Sequence, residues 1–292
     1  MNSYWIKRPN QPPQNHLKCV CFWNGIFSCV MQDGHVIQYI EKLLENKDIT
    51  FLMPQSDGDI VGSEFANIYI DPEEKLLVGS VAQRFYDPSL NYVLLPQDDG
   101  IFQYGLRYYF WPELLPRWED RICKAFWRGS GSRRNGFLRK DVVLKLRDHP
   151  SADVKLIDHW IYDTDDIPDD CISGEVDYRE FTKYKMVLII DGNGISSAHS
   201  WCFGVGAVPI MITNNDFWFK SALVPFGNYV PVKYDLSDLE EKIEWVLEND
   251  LEAKNIAERA MEMAYRVFTP EYQRTYLQEQ ICGKKNILGS NI

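Results

Sequence analysis

The sequence predicts an α/β protein whose second half is a parallel sheet with helices on both faces. Beyond Arg121, short apolar runs alternate with amphipathic stretches, the pattern of strands joined by crossover helices. The run Val187-Leu188-Ile189-Ile190 contains no polar residue, as a strand buried on both faces requires. Asp191-Gly192-Asn193-Gly194 then leads into a helical stretch at Ser196, a strand-to-helix turn.

Taken in order, Val36, Ile37, Ile40, Leu43 and Leu44 recur at helical spacing over 34–46, and the run 49–53 that follows is strand-like. A second apolar run, 75–79, comes after an Asp71-Pro72 turn, and the aromatic- and Pro-rich stretch 86–118 shows no clear period. The passage between two domains is placed near its end. Beyond it come a strand at 123–127, a helix at 136–147, a strand at 154–157, an acidic loop at 163–170 and a strand at 186–190. A short helix at 197–203, a strand at 207–212 and two closing helices complete the chain. Ser237-Asp238-Leu239-Glu240 reads as a capping box, and Leu239, Ile243, Val246 and Leu247 as the buried stripe behind it.

Composition narrows the function. With 42 acidic against 31 basic side chains the formal charge is −11, which repels a nucleic-acid backbone and offers no polybasic face to anionic lipid. No nucleic-acid partner and no membrane insertion are expected. The first residues hold no apolar signal core, and no run approaches the ~18 apolar residues of a membrane span; a cytoplasmic location is the expectation. Seven Cys is an odd number, and Cys19 and Cys21 lack the spacing and the downstream partners of a zinc site. Reduced, mostly buried thiols follow.

Two loops are candidates for a ligand. In open α/β sheets, ligands bind beyond the carboxyl ends of the strands, where helix amino termini present unpaired N–H groups to phosphate. Asp191, Gly192, Asn193, Gly194, Ile195 and Ser196 form one such loop, and its glycines would let backbone approach closely; simple turn chemistry is the alternative. Phe126-Trp127-Arg128-Gly129-Ser130-Gly131-Ser132-Arg133-Arg134 leaves a strand in the same way and, with Arg139, carries four Arg. Small residues and guanidinium groups suit a diphosphate, which makes Arg128, Gly129, Ser130, Ser132, Arg133 and Arg139 diphosphate-binding candidates; a solvated basic loop is the alternative. A phosphatase of the aspartyl-nucleophile kind would need a second carboxylate two residues after Asp191. Asn193 stands there and cannot transfer a proton at neutral pH.

These residues resemble glycosyltransferase family 90, the family of the fungal capsule-associated proteins and the animal Rumi protein O-glucosyltransferases. Phe126 to Ser130 is similar to its aromatic-Arg-Gly-Ser motif, and Lys183-Tyr184-Lys185 with Asp191-Gly192 to its Lys-Tyr-Lys…Gly motif. Val230 to Lys233 with Asp235 to Ser237, and then Ile256 to Arg259, continue the match. The resemblance implies a GT-B fold: two Rossmann-like domains with the active site in the cleft between them. Residues 1–118, joined by a C-terminal helix over about 268–292, would form the acceptor-side domain, and 119–267 the UDP-sugar donor domain. It further implies inverting transfer from a UDP-sugar to a glycan or glycoprotein hydroxyl, without a metal or other cofactor.

Carried over by position, Ser130 and Arg139 would meet the diphosphate, Gly192 to Ser196 the diphosphate and sugar, and Asp57 would be the catalytic base; a turn residue is the alternative for Asp57, with Asp59, Asp87, Asp98 and Asp99 in reserve. Asp57-Gly58-Asp59 and Asp163-Thr164-Asp165 are Asp-x-Asp doublets of the sort that hold a metal in GT-A enzymes, but such doublets arise readily among 42 carboxylates. One departure stands out: Ala198, followed by His199, occupies the place of a family Arg. It leaves open a second class of function, a non-catalytic carbohydrate- or nucleotide-binding protein of the same fold. The compact chain looks most like members from large algal viruses, a likeness that favours xylose as the donor sugar, with glucose next.

Overall fold

A computed structural model of the chain describes residues 18–22, 39–40, 42–43, 50–54, 76–80, 92–96, 112–131, 138–157, 167–192 and 194–283. The chain divides into two compact units, one of Met1–Asp98, Asp216–Trp218 and Pro270–Ile292, the other of Asp99–Asn215 and Phe219–Thr269.

The first unit holds four parallel strands in the order β1-β2-β3-β4: β1 (Lys18–Phe22), β2 (Thr50–Pro54), β3 (Leu76–Ser80) and β4 (Tyr92–Leu94). The sequence runs at 49–53 and 75–79 correspond to β2 and β3, and residues 39–40 and 42–43 are helical as expected. The strands at β1 and β4 were not anticipated, the latter because it lies in an aromatic stretch without period.

The second unit is a six-stranded, wholly parallel sheet made of β5 (Ile122–Gly129), β6 (Ala152–Ile157), β7 (Ile172–Ser173), β8 (Tyr184–Ile190), β9 (Val208–Ile212) and β10 (Val230–Pro231). Its order is β10-β9-β8-β5-β6-β7. The chain starts in the middle at β5, winds outward through β6 and β7, then returns to the other side of β5 for β8, β9 and β10.

Both faces of this sheet are covered. On one, Trp127, Leu188 and Ile210 pack with Val142 and Val143 of α1 (Leu138–Leu146) and with residues of two later helices. On the other, the Phe126 ring stacks on Tyr184 at 4.2 Å and meets Phe181 edge-on at 4.9 Å, and Phe181 in turn abuts Trp201. Every residue of β8 is buried, which is why its run Met186–Ile190 is apolar without alternation. Truncating Phe126 to Ala would cost about 3–5 kcal/mol.

The carboxyl-terminal region contains three helices rather than the two expected. A short α2 (Ala198–Trp201) follows β8, and α3 (Leu239–Glu248), α4 (Asp250–Val267) and α5 (Pro270–Cys282) close the chain. Helix α4 ends at Val267 and a separate helix starts at Pro270, which lacks the N–H that would continue a helix. The buried stripe of α3 is Leu239, Ile243 and Val246, with Leu247 half-buried. The capping box does not form. The N-cap is Asp238, one residue later than the box requires, and the Ser237 amide and hydroxyl are bound to Asp235, while Asp238 Oδ1 accepts from the Lys233 amide at 2.9 Å. Among the described residues Cys171 and Cys202 are buried thiols, whereas Cys123 is exposed.

Candidate functional site

Strands β5 and β8 are parallel neighbours, with Phe126 opposite Val187, so the loops that leave them emerge at the same edge of the sheet. Between these two strands the winding direction reverses. Numbered within the unit, the strand order is 3-2-1-4-5-6, the doubly wound order of nucleotide-binding sheets, whose ligands lie in the crevice at the reversal point. Gly129 and Ser130 flank that crevice from β5, and Asp191 and Gly192 from β8.

Arg139, in the first turn of α1, joins the two loops. Nε donates to the Asp191 carbonyl at 3.0 Å, Nη2 to the Ile190 carbonyl at 3.3 Å, and Nη1 to the Ser130 carbonyl and Oγ at 2.9 and 3.2 Å. The buried guanidinium lies over the Trp127 ring, 5.7 Å from its centroid. Glycine is needed at both loop positions. A Cβ on Gly192 would sit 2.8 Å from Arg139 Nη2, and one on Gly129 would sit 2.5 Å from the Trp127 indole. Sequence reasoning placed Arg139 at a diphosphate; the geometry adds a structural role, a cation that binds both loops through their main chain.

The Asp191 side chain turns inward. Its carboxylate is wholly buried, with Oδ1 3.1 Å from His199 Nε2 and Oδ2 accepting from the Asn214 amide at 3.1 Å. Burial by itself would raise the Asp191 pKa. Hydrogen bonds from His199, the Thr213 hydroxyl and the Asn214 amide outweigh it and hold the carboxyl below its ordinary value. His199 Nδ1 in turn accepts from the Ser196 amide at 3.1 Å and lies 3.2 Å from Ser196 Oγ.

The short helix expected at 197–203 is observed as α2 followed by the 3-10 turn Cys202–Gly204, but its four α-helical residues are too few to present a helix-end field. The Ser196 amide, expected to face phosphate, is directed at the His199 ring. His199 cannot stand in for the family Arg at Ala198 as an exposed cation, because it is buried and bonded to Asp191.

Arg128 is not brought to the crevice. Adjacent strand residues face opposite ways, and its guanidinium lies over Phe126 at 4.6 Å, donating to the Asp153 carbonyl at 2.8 Å and to Asp153 Oδ1 at 2.5 Å. The Tyr184 hydroxyl bonds the other Asp153 oxygen at 2.7 Å. Arg128, expected at the donor, is in this structure engaged by Asp153.

The Lys-Tyr-Lys motif is likewise structural. Lys183 pairs with Glu180, and Lys185 with Asp250, which also accepts from the Trp118 indole. These pairs sit at the start of β8, the end of the strand away from the loops. The pair Asp191 and His199 was missed by sequence reasoning; the signal was an Asp closing an all-apolar buried strand with a His eight residues on.

Asp57, Ser132, Arg133 and Asn193 lie outside the described residues, as do Asp59, Asp87, Asp98, Asp99, Asp163 and Asp165. Gly194, Ile195 and Ser196 are described; the first two are buried and Ser196 is half-buried. Among the described residues no group of three or more His, Cys, Asp or Glu could hold a metal ion, and no helix is long and apolar enough to cross a membrane.

Strand order, the paired loops and their arginine staple define a Rossmann-type unit of the nucleotide-binding kind. Residues 113–281 match the family described as glycosyl transferase family 90, and the chain belongs to that family. Protein O-glucosyltransferase 2 of Danio rerio is 30% identical over 146 residues, 49% of this chain and 28% of that protein. Protein O-glucosyltransferase 3 of Homo sapiens is 29% identical over 157 residues, 53% of this chain and 30% of that protein. Uncharacterized protein 035R of Invertebrate iridescent virus 3 is 24% identical over 270 residues, 80% of this chain and 24% of that protein. The matched segments thus span less than a third of each relative.

Proposed function

We propose that the chain is an inverting, metal-independent glycosyltransferase of the GT-B type that moves a sugar from a UDP-sugar to a hydroxyl of a glycan or glycoprotein. One observation carries the reading: in a family-90 chain, the Ser130 loop and the Gly192 to Ser196 loop meet at the reversal point of the sheet and are bound together by Arg139. A nucleoside diphosphate leaving group gathers negative charge there, and polar groups fixed in advance stabilise it without reorganising. Ser130 and Ser196 offer hydroxyls, and the Arg139 cation lies directly beneath both loops.

Asp57 completes the reading as the base that takes the proton of the acceptor hydroxyl while its oxygen attacks the anomeric carbon. An ordinary Asp, with a pKa of ~3.9, is ionised at neutral pH, and the acceptor proton becomes acidic only as the new bond forms. The relatives named protein O-glucosyltransferases make UDP-glucose the first donor to test, beside the UDP-xylose that the viral likeness favours.

The test is a thermal-shift panel of UDP, UDP-glucose, UDP-xylose and GDP-sugars, followed by assay of UDP release with candidate acceptors. A ligand at 100 times its Kd stabilises by about 2.7 kcal/mol, so a UDP-sugar should raise Tm by several degrees and a GDP-sugar should not. No response to any UDP compound would sink the proposal. Ala198, in the place of a family Arg, favours one second reading, a sugar-nucleotide-binding protein without turnover. That reading wins if a UDP-sugar stabilises the fold and no UDP is released with any acceptor.

A further inference from the structure

We infer that His199 is a positioning residue of the donor loop, holding Ser196 through a buried Asp191–His199–Ser196 chain of hydrogen bonds. The inference takes its ligand, UDP, from the transferase reading above; the tether itself rests on geometry alone. Asp191 and His199 are both wholly shielded from solvent, so neither can exchange its partner for water. The tautomer follows from the donors. The Ser196 amide can only donate, and it points at Nδ1 at 3.1 Å; Nδ1 is therefore unprotonated. The ring proton sits on Nε2 and is donated to Asp191 Oδ1. Asp191 is itself fixed from the other side by the Asn214 amide, so the chain ties the loop after β8 to the end of β9.

The same three side chains have the order of a nucleophilic triad, with Ser196 Oγ 3.2 Å from the imidazole. The amide decides against that role. The single Nδ1 lone pair already receives the Ser196 N–H, and a proton taken from Oγ would set two donors against each other at 3.1 Å. What the arrangement does is hold the Ser196 main chain, while its hydroxyl, 3.2 Å from Nδ1, can turn from the ring toward an acceptor oxygen on a ligand. Where the family pattern has an Arg, this chain has Ala198 beside a buried imidazole, so the loop contributes a positioned neutral hydroxyl in place of a fixed charge.

The experiment pairs spectroscopy with a binding cycle. Long-range proton–nitrogen spectra of the whole chain should show His199 protonated at Nε2 and bare at Nδ1; the opposite tautomer overturns the tether. UDP affinity is then measured at 10 °C, where a purely structural loss of stability leaves folded protein with unchanged affinity. His199→Leu should raise the UDP Kd about tenfold, equal to ~1.4 kcal/mol. Asn at this position retains an acceptor for the Ser196 amide, so His199→Asn should stay within about threefold.

Because His199 acts through Ser196, the double variant His199→Leu/Ser196→Ala should bind no worse than the weaker single variant. Multiplying losses would overturn the inference, as would covalent labelling of Ser196 by a fluorophosphonate. If His199→Leu does not fold, the tautomer measurement on the wild type decides. A wild type that shows the expected tautomer and binds no UDP would refute the transferase reading and leave the tether standing.

Discussion

Arg139 and Gly192 are in direct contact, so close that a single methyl group on Gly192 would lie 2.8 Å from the guanidinium Nη2. The guanidinium is bonded to both loops at once and cannot retreat without breaking one of these bonds. Gly192→Ala should destabilise the unit by about 1–3 kcal/mol and weaken UDP binding, because the staple moves. Arg139→Lys should do the same, since one ammonium cannot span the Ser130, Ile190 and Asp191 carbonyls that the planar fork reaches. Denaturant unfolding and UDP titration of both variants check this; unchanged UDP affinity with lowered stability would show that the loops hold their shape without the staple.

Arg128 gives the opposite expectation. Its ion pair with Asp153 lies on the other face of β5, where burial tends to raise the Asp153 pKa but the Tyr184 and Arg128 bonds hold it below its usual value. Arg128→Gln should lower stability by about 2 kcal/mol, less than for a fully enclosed pair because Asp153 keeps some solvent. UDP affinity should not change by more than about twofold, a difference of ~0.4 kcal/mol. A large rise in Kd at temperatures where the variant is folded would return Arg128 to the donor site.

Asp191 makes stability depend on acid. Its folded-state pKa is depressed, so the stabilisation is complete above the unfolded value of ~3.9 and is lost as pH falls through the lower folded value. In Asp191→Asn the amide turns a donor toward the Asn214 N–H or the His199 ring. The variant should be less stable by about 1–3 kcal/mol at pH 7, and the gap to wild type should narrow below about pH 4 as the wild-type carboxyl protonates. A gap independent of pH between 2 and 7 would show that the carboxylate charge is not what is being used.

If Asp57 is the base of the proposed transfer, Asp57→Asn should reduce transfer by about 10²–10⁴-fold while leaving UDP binding intact, since taking the acceptor proton requires no contact with the diphosphate. Transfer should survive EDTA. Restoration by Mn²⁺ of an EDTA-inhibited enzyme would point to a metal-dependent mechanism and away from the GT-B reading.

Much of the second unit was legible in the sequence. The strand cores at 123–127, 154–157, 186–190 and 207–212 all lie within or largely within observed strands, because period and composition are local properties. The same locality explains the misses. Ser237 and Glu240 have the spacing of a capping box, yet the turn at Leu236, with a φ of 61°, shifts the helix start so that Asp238 is the N-cap. Strand β4 escaped notice because a three-residue strand has no length over which to show a period.

By itself, then, the sequence determined the order of the strands along the chain, the two Gly-containing loops after β5 and β8, and the family to which they belong. Tertiary structure decided which side chains those loops present. Phe126, Trp127 and Arg128 are consecutive, but the pleat sends Trp127 under Arg139 and Arg128 to Asp153, a sorting that depends on neighbours distant in sequence. Arg139 and Gly192 stand 53 positions apart and touch only because β8 returns to the side of β5. Asp191, which looks like a loop carboxylate open to a ligand, is drawn inward because His199, Thr213 and Asn214 together supply the hydrogen bonds that its burial requires.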